Sequence, residues 1–232
     1  MLDFSPWDQM LRQYVDQQGR VDYQTWQQTS AQLLKDWLHQ LAQLELNNAP
    51  DPDQRLAFWL NLYNALVIDQ VLEVYPIRSI RPTVLGIPNW FAFLQFFEKP
   101  VYQMSGRSYT LNDIEHKIIR PEFRDPRIHF ALVCAAVGCP LLRNQAYQPE
   151  QLPAQLEEDA QRFINNSQKV RYDPPFLYCS KIFQWYQQDF ISHSHSIPQY
   201  IAKYLLPSVS LTATTPIRYL PYDWSLNQRT SS

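Results

Sequence analysis

Apolar residues recur at helical spacing from near the start of the chain. Trp7, Met10, Leu11, Tyr14 and Val15 follow Ser5-Pro6, an N-cap and first-turn pair, and Gly19 stops the run. An extended piece at Val21-Asp22-Tyr23 leads into a second amphipathic run over 24–44, carrying Trp26, Leu33, Leu34, Trp37, Leu38, Leu41 and Leu44. A turn cluster over 47–52 ends it. The segment 51–75 opens on Asp51-Pro52 and is apolar almost all round, the pattern of a central, buried helix. Asn61 and Asn64 interrupt it, three apart on one face. Once buried, each amide needs hydrogen-bond partners, from neighbouring backbone or from a ligand.

Pro76, Pro82 and Pro88 then break the chain into irregular pieces. The aromatic run Trp90, Phe91, Phe93, Phe96 and Phe97 reads as core or as a lid; without interleaved Arg and Lys it is not a stacking platform for bases. A hairpin is expected over 101–109, turning at Gly106, and Asn112 is expected to cap a helix over 113–120 with Ile114 and Ile118 facing the core. The run Arg127, Ile128, His129, Phe130, Ala131, Leu132, Val133, Cys134 follows Asp125-Pro126 and is short, aromatic and β-branched. It predicts a buried strand at the centre of a small antiparallel or mixed sheet packed on the 51–75 helix. Beyond it come an amphipathic helix over 149–166 with an acidic outer side at Glu157, Glu158 and Asp159, and a strand pair around Asp173-Pro174-Pro175. A helix over 181–190 follows, capped by Ser180. The aromatic tail 217–227 is expected to dock on the body. The fold class is therefore α+β, mostly helical, in a single domain over 1–232, with the helices of 1–50 packed on a body of 51–227.

Composition narrows the partners. Twenty basic and 22 acidic residues give a net charge of -2 with no basic block, so neither nucleic acid nor an anionic membrane surface is suggested. Small ligands, such as a peptide or thiol, or other proteins are the expected partners. Three cysteines at uneven spacing form neither a disulfide framework nor a paired C-x-x-C zinc site. No secretory signal and no uninterrupted apolar run of about 18 residues is visible, so a cytoplasmic protein is expected.

Several separated strings together resemble one family. They are Ala57-Phe58-Trp59-Leu60-Asn61-Leu62-Tyr63-Asn64-Ala65-Leu66, Asp113-Ile114-Glu115-His116, Asp125-Pro126-Arg127-Ile128-His129-Phe130-Ala131-Leu132-Val133-Cys134, Gly138-Cys139-Pro140, Ser180-Lys181-Ile182-Phe183 and Tyr222-Asp223-Trp224-Ser225-Leu226-Asn227. In this order they resemble the domain of unknown function 547 family, from about Leu56 to Asn227, with Val133 standing where many members have asparagine. The resemblance implies a body related to papain-like and transglutaminase-like thiol hydrolases, with Cys, His and Glu as catalytic groups. It also implies γ-glutamyl thiol peptides such as glutathione as ligands. Fold alone does not fix chemistry.

The residues themselves offer two cysteines, two histidines and one glutamate within 25 positions. A thiol nucleophile needs a base within hydrogen-bond reach and a third group to orient that base. On a straight strand His129 and Cys134 point to opposite faces and cannot pair. Two triads remain open. In one, Cys134 uses His116 as its base, and the turn at Ala135-Ala136 presents backbone N–H groups to an oxyanion. In the other, Cys139 turns back beside His129, which Glu115 orients. Cys134 is favoured as nucleophile, with the histidine left open. Asn61, Asn64, Trp59 and Tyr63 are the candidate substrate contacts. Against this stands the ordinary fate of free cysteine, which is to be buried as a small hydrophobe. A metal centre built from Cys134, Cys139, His129 and His116 is a second chemistry, although ligands on opposite faces of one strand suit a tetrahedron poorly. The third reading is a non-catalytic module that binds a peptide or protein in a groove of Trp59, Tyr63, Trp90 and Trp224. His193 and His195 are expected to be solvated, Cys179 to be a strand residue, and no cofactor is called for.

Overall fold

Local caps fix the first three helices. A computed structural model of the chain describes residues 3–43, 51–84, 87–207 and 209–229. Helix α1 (Ser5–Tyr14) begins one residue earlier than expected, with Phe4 at the cap position and the Asp3 carboxylate accepting from Ser5 N–H at 2.9 Å. Helix α2 (Tyr23–Ala42) is capped by Asp22, which accepts from Thr25 N–H. Leu44 and the expected turn over 47–50 lie outside the described residues. Helix α3 (Pro52–Val74) starts as the sequence predicts, with Asp51 accepting from Asp53 N–H and Pro52 in the first turn. It is buried on every side from Leu56 to Ile68. Helix α2 packs on it, and α1 packs on α2 through Trp7, which stacks on Trp37 at 5.7 Å between ring centroids.

Strands β1 (Thr83–Val84) and β2 (Ile87–Pro88) pair antiparallel and lead into α4 (Trp90–Glu98), capped by Asn89. The predicted hairpin is present as β3 (Tyr102–Met104) and β4 (Arg107–Tyr109), turning through Ser105 and Gly106 at φ 52° and 73°. The helix after it is not capped by Asn112. Thr110 and Asp113 instead exchange backbone-to-side-chain hydrogen bonds, 2.9 and 3.1 Å, in a capping box. The turn then widens into a π-helix, Asp113–Ile119, and tightens again as α5 (Arg120–Phe123).

The largest departure from expectation is the run 127–134, which is not a strand. Pro126–Phe130 is a 3-10 helix, and Ala131 to Cys134 leave it as loop. The reason is local: Asp125 accepts from Arg127 N–H at 2.9 Å, so Asp125-Pro126 acts as a helix N-cap and first residue. Its apolar residues are continuous because the segment lies between two hydrophobic clusters. Ile128 belongs to the cluster around α1, α2 and α3, and Phe130 to one built with Phe163, Phe183, Phe190 and Tyr200.

That second cluster rests on the sheet, which lies elsewhere than expected. Strands β5 (Val170–Asp173) and β6 (Phe176–Cys179) pair antiparallel around Pro174-Pro175, and β7 (Ile217–Tyr219) joins β6 in parallel, so the sheet is mixed. A 3-10 turn at Pro149–Gln151 opens α6 (Leu152–Ile164), whose outer side is less acidic than expected because Asp159 is buried. Asp159 accepts from Arg143, Arg162 and the Tyr147 hydroxyl. The expected 181–190 helix is divided at Tyr186 into α7 (Ile182–Trp185) and α8 (Gln187–Ser194), followed by α9 (Ile197–Ala202). Ser180 Oγ accepts from Ile182 N–H. His193 and His195 are exposed, and Cys179 is a buried strand residue whose thiol burial pushes up to about 12. The tail docks as expected: Asn227 N–H donates to Ala135 O, Val21 N–H to Asn227 O, and the Tyr23 hydroxyl to Asn227 Oδ1. The architecture is α+β. Among the described residues no helix is long and apolar enough to cross a membrane.

Candidate active site

The loop 131–139 is built from both ends by groups that do not involve its sulfurs. Asn64, buried in α3, donates from Nδ2 to Ala131 O at 2.9 Å and accepts at Oδ1 from Val133 N–H at 3.0 Å. The tail supplies the other hand: Val137 N–H donates to Ser225 O and Gly138 N–H to Asp223 O, at 2.8 and 2.7 Å. A Cβ on Gly138 would stand 2.8 Å from Asp223 O and from the Tyr222 ring, so only glycine allows this approach. Lys169 Nζ donates to Val137 O at 2.6 Å from beneath, and burial lowers its pKa to about 8. Ala135 is held at φ 61°, a conformation that residues with a Cβ rarely adopt.

Between these clamps Cys134 and Cys139 are joined by a disulfide, with their Cα atoms 6.2 Å apart. The sequence had suggested two free thiols. The sulfurs have unequal surroundings. Cys139 is buried, and its Sγ accepts from Cys134 N–H at 3.0 Å and from the Tyr222 hydroxyl at 3.1 Å. Cys134 is partly exposed, with the Tyr222 hydroxyl 3.4 Å from its Sγ. Burial pushes the Tyr222 phenol up, so it stays a donor. The amides of Val137, Gly138 and Cys139 are taken by carbonyls, so this part of the turn offers no donor to an oxyanion.

Both sulfurs open on a cavity of about 410 Å³. Glu115, His116 and His129 line it too, so the five candidate catalytic side chains meet in one place. Neither expected triad is formed, because among the described residues no imidazole is hydrogen-bonded to a sulfur. The carboxylate that orients His129 is Asp189 on α8, whose Oδ2 accepts from Nε2 at 2.7 Å. Arg120 grips the same carboxylate with two hydrogen bonds, 2.8 and 3.0 Å. Burial alone would raise Asp189, but the hydrogen bonds from His129 and Arg120 outweigh it and hold the carboxyl well below the usual range. Burial lowers the His129 pKa against the pull of Asp189 and Glu115, so the ring is neutral near pH 7, with its proton on Nε2. Nδ1 has no partner among the described residues.

Glu115 acts at one remove. It accepts from the Tyr63 hydroxyl at 3.1 Å and from the Tyr186 hydroxyl at 2.5 Å, and the Tyr186 ring stacks on His129 at 3.8 Å between centroids. His116 is the more exposed neighbour. Its Nδ1 accepts from Arg120 at 2.8 Å and its Nε2 lies 3.9 Å from Glu115 Oε1. The two neighbours face different ways, with Glu115 turned inward.

Of the substrate contacts, only Tyr63 lines the cavity. Asn61 clamps Tyr147 through both its backbone groups, at 2.9 Å each, as Asn64 clamps the cysteine loop, so both amides serve backbone. Trp59 is buried against Phe58 and Tyr109. The groove of the binding-module reading keeps Tyr63, Trp90 and Trp224 and loses Trp59. Its opposite wall is α4, which lines the cavity with Trp90, Phe93, Leu94 and Phe97 and has no buried residue. No metal centre is formed: among the described residues no group of three or more His, Cys, Asp or Glu could hold an ion.

Sequence reasoning missed Asp189, Tyr186, Arg120 and Tyr222. Tyr222 sits in one of the family-like strings, but its contact with the sulfurs had no linear signal. Asp189 had none either, being 60 positions from the imidazole it holds. A family model described as a protein of unknown function, DUF547, matches residues 47–164, just over half of the 232. The chain belongs to this family. The DUF547 match takes in Asn61, Asn64, Glu115, His116, His129 and both cysteines of the loop, whereas Tyr186, Asp189 and Tyr222 lie beyond it. No curated protein and no solved structure matches the chain.

Proposed function

We propose that the cavity is the active site of a thiol-dependent hydrolase or acyl transferase of papain-like and transglutaminase-like type, acting on an amide or isopeptide bond of a small peptide. The observation that supports it is the convergence of the loop sulfurs with a buried imidazole that has one nitrogen fixed by Asp189 and the other unpartnered. With the disulfide reduced, Cys134 is the accessible sulfur. Its thiol gives a proton to His129 Nδ1, and the thiolate attacks the carbonyl carbon. The C–N bond breaks, the imidazolium returns the proton to the leaving amine, and water or an acceptor amine then releases the acyl group from sulfur. Asp189 stabilises the imidazolium in between, a role that needs it ionised. Tyr222, the side-chain donor near the sulfurs, hydrogen-bonds the developing oxyanion.

A volume of about 410 Å³ suits a small peptide. γ-Glutamyl thiol peptides such as glutathione, which the family resemblance implies, are the first substrates to test. The decisive measurement uses reduced protein with a panel of γ-glutamyl and isopeptide amides. Cys134→Ala should abolish turnover with an unchanged circular dichroism spectrum, and Cys134 should be alkylated by iodoacetamide about tenfold faster than Cys139 and Cys179. Undiminished turnover in Cys134→Ala and Cys139→Ala would end this reading. That no imidazole is bonded to a sulfur among the described residues favours a second one, a peptide-binding module, for which all three thiols should be equally inert.

A further inference from the structure

We propose that the Cys134–Cys139 pair is a thiol–disulfide exchange site for low-molecular-weight thiols, in which Cys134 is the sulfur attacked and Cys139 the sulfur that leaves. The inequality of the two sulfurs carries this. Cys134 is partly exposed to the cavity, whereas Cys139 is buried and receives two hydrogen-bond donors, its partner's amide and the Tyr222 hydroxyl. Exchange proceeds fastest when the attacked sulfur is accessible and the departing sulfur is the better thiolate. Donors at 3.0 and 3.1 Å are weak on a neutral disulfide and strong on the anion that forms as the bond breaks.

The chemistry balances with two thiols. The first, as thiolate, attacks Cys134 Sγ; the S–S bond breaks and Cys139 departs as thiolate. The second attacks the sulfur of the bound small thiol, releasing the small-molecule disulfide and Cys134 thiolate. The two protons of the small thiols end on the two cysteines. The reverse reaction is equally prepared, because Asn64, the tail carbonyls and Lys169 hold the loop without using the sulfurs. A reduced Cys139 therefore stays beside Cys134 and expels a small thiol bound there. Taken with the hydrolase reading, on which this consequence rests, exchange sets how much of the protein carries a free nucleophile.

The test uses hydroxyethyl disulfide and 2-mercaptoethanol on the full chain, with adducts located by peptide mass spectrometry after acid quench. Reduced wild-type protein should return to the intramolecular disulfide without accumulating an adduct. Cys139→Ser should accumulate the adduct on Cys134, and Cys134→Ser should react about tenfold more slowly through its buried Cys139. Tyr222→Phe should slow the opening of the wild-type disulfide by 2-mercaptoethanol about fivefold and should slow adduct formation on Cys134 in the Cys139→Ser background by less than about twofold, because the closer contact of its hydroxyl is to the departing Cys139 sulfur. A merely structural Tyr222 would affect both alike. Preferential adduct formation on Cys139, equal rates in the two serine variants, or stable double adducts in the wild type would each overturn the proposal. None of these readouts involves turnover, so their failure is distinct from failure of the hydrolase reading.

Discussion

Replacing Asn64 by leucine removes the clamp at the entry to the cysteine loop while keeping a side chain of similar size. Two backbone groups lose their partner: Ala131 C=O, which accepts from Nδ2, and Val133 N–H, which donates to Oδ1. Asn64, Ala131 and Val133 are all buried, so water cannot substitute without opening the core. Each orphaned group costs about 1–3 kcal/mol. Leucine recovers part of this, because the amide no longer has to be desolvated, and the net loss is about 2–4 kcal/mol. Urea unfolding followed by circular dichroism should show it as a lower midpoint at an unchanged slope. Amide exchange at 131–134 should quicken more than elsewhere in the protein. Asn165→Leu is the control, since Asn165 also bonds backbone at both ends of its amide but is exposed, and its loss should stay near 1 kcal/mol or less. A loss at Asn64 no larger than at Asn165 would show that the amide is not a structural clamp and would reopen it as a ligand contact.

Other perturbations test the remaining supports of the site. Gly138→Ala pushes a methyl group into Asp223 O and the Tyr222 ring; it should cost roughly 1–3 kcal/mol by urea titration and loosen the tail, and an unchanged midpoint would refute the close approach. Histidine NMR should find His129 titrating below 6.5, and lower still in Asp189→Asn, which removes an interaction favouring the imidazolium; a midpoint above 6.5 would contradict the burial argument. Stability should fall as pH drops below about 6.5, because the unfolded chain takes up the His129 proton before the folded one does. Asp189 has the same sign further down: its depressed carboxyl contributes stability that is present above the unfolded value of 3.8 and is lost as pH falls through the folded value. Thermal denaturation from pH 8 to pH 3 with His129→Phe alongside should show the upper part of the decline lost and the lower part reduced but kept, since Arg120 still holds Asp189.

What the linear pattern revealed and what it hid follow from the range of the forces involved. Asp51-Pro52 and the all-round apolar run of α3 were legible because a cap and a burial pattern act within one element. The hairpin was legible at Gly106 for the same reason, and the tail because so aromatic a segment has to be covered. The run 127–134 misled because β-branched and aromatic residues mark burial on both sides as readily as they mark a strand. Asp125-Pro126 was the better signal, since that pair starts helices. At the site, the reactive residue types were visible as a cluster, but their pairing was not. His129 takes its carboxylate from 60 positions away and the sulfurs take their phenol from more than 80, distances over which periodicity carries no information.

The two sides of the cavity are made differently, and this separates what each can do. The cysteine loop is held by an amide from α3, by two carbonyls of the tail and by Lys169, and the imidazole opposite by a carboxylate that Arg120 holds in turn. Groups fixed in this way keep their relation to one another whatever enters, which is the requirement for proton transfer and for attack at sulfur. The α4 wall has no such support. Its Phe93, Phe96 and Phe97 pack in part against the core, but Trp90, Phe91 and Leu94 are more than half exposed, so the fold gains little from these three. Of these, Trp90 and Leu94 line the cavity, where an exposed apolar surface suits contact with what the cavity admits. Under the proposed hydrolase activity, changes on the loop side should therefore alter turnover, and changes on α4 which molecules reach the site.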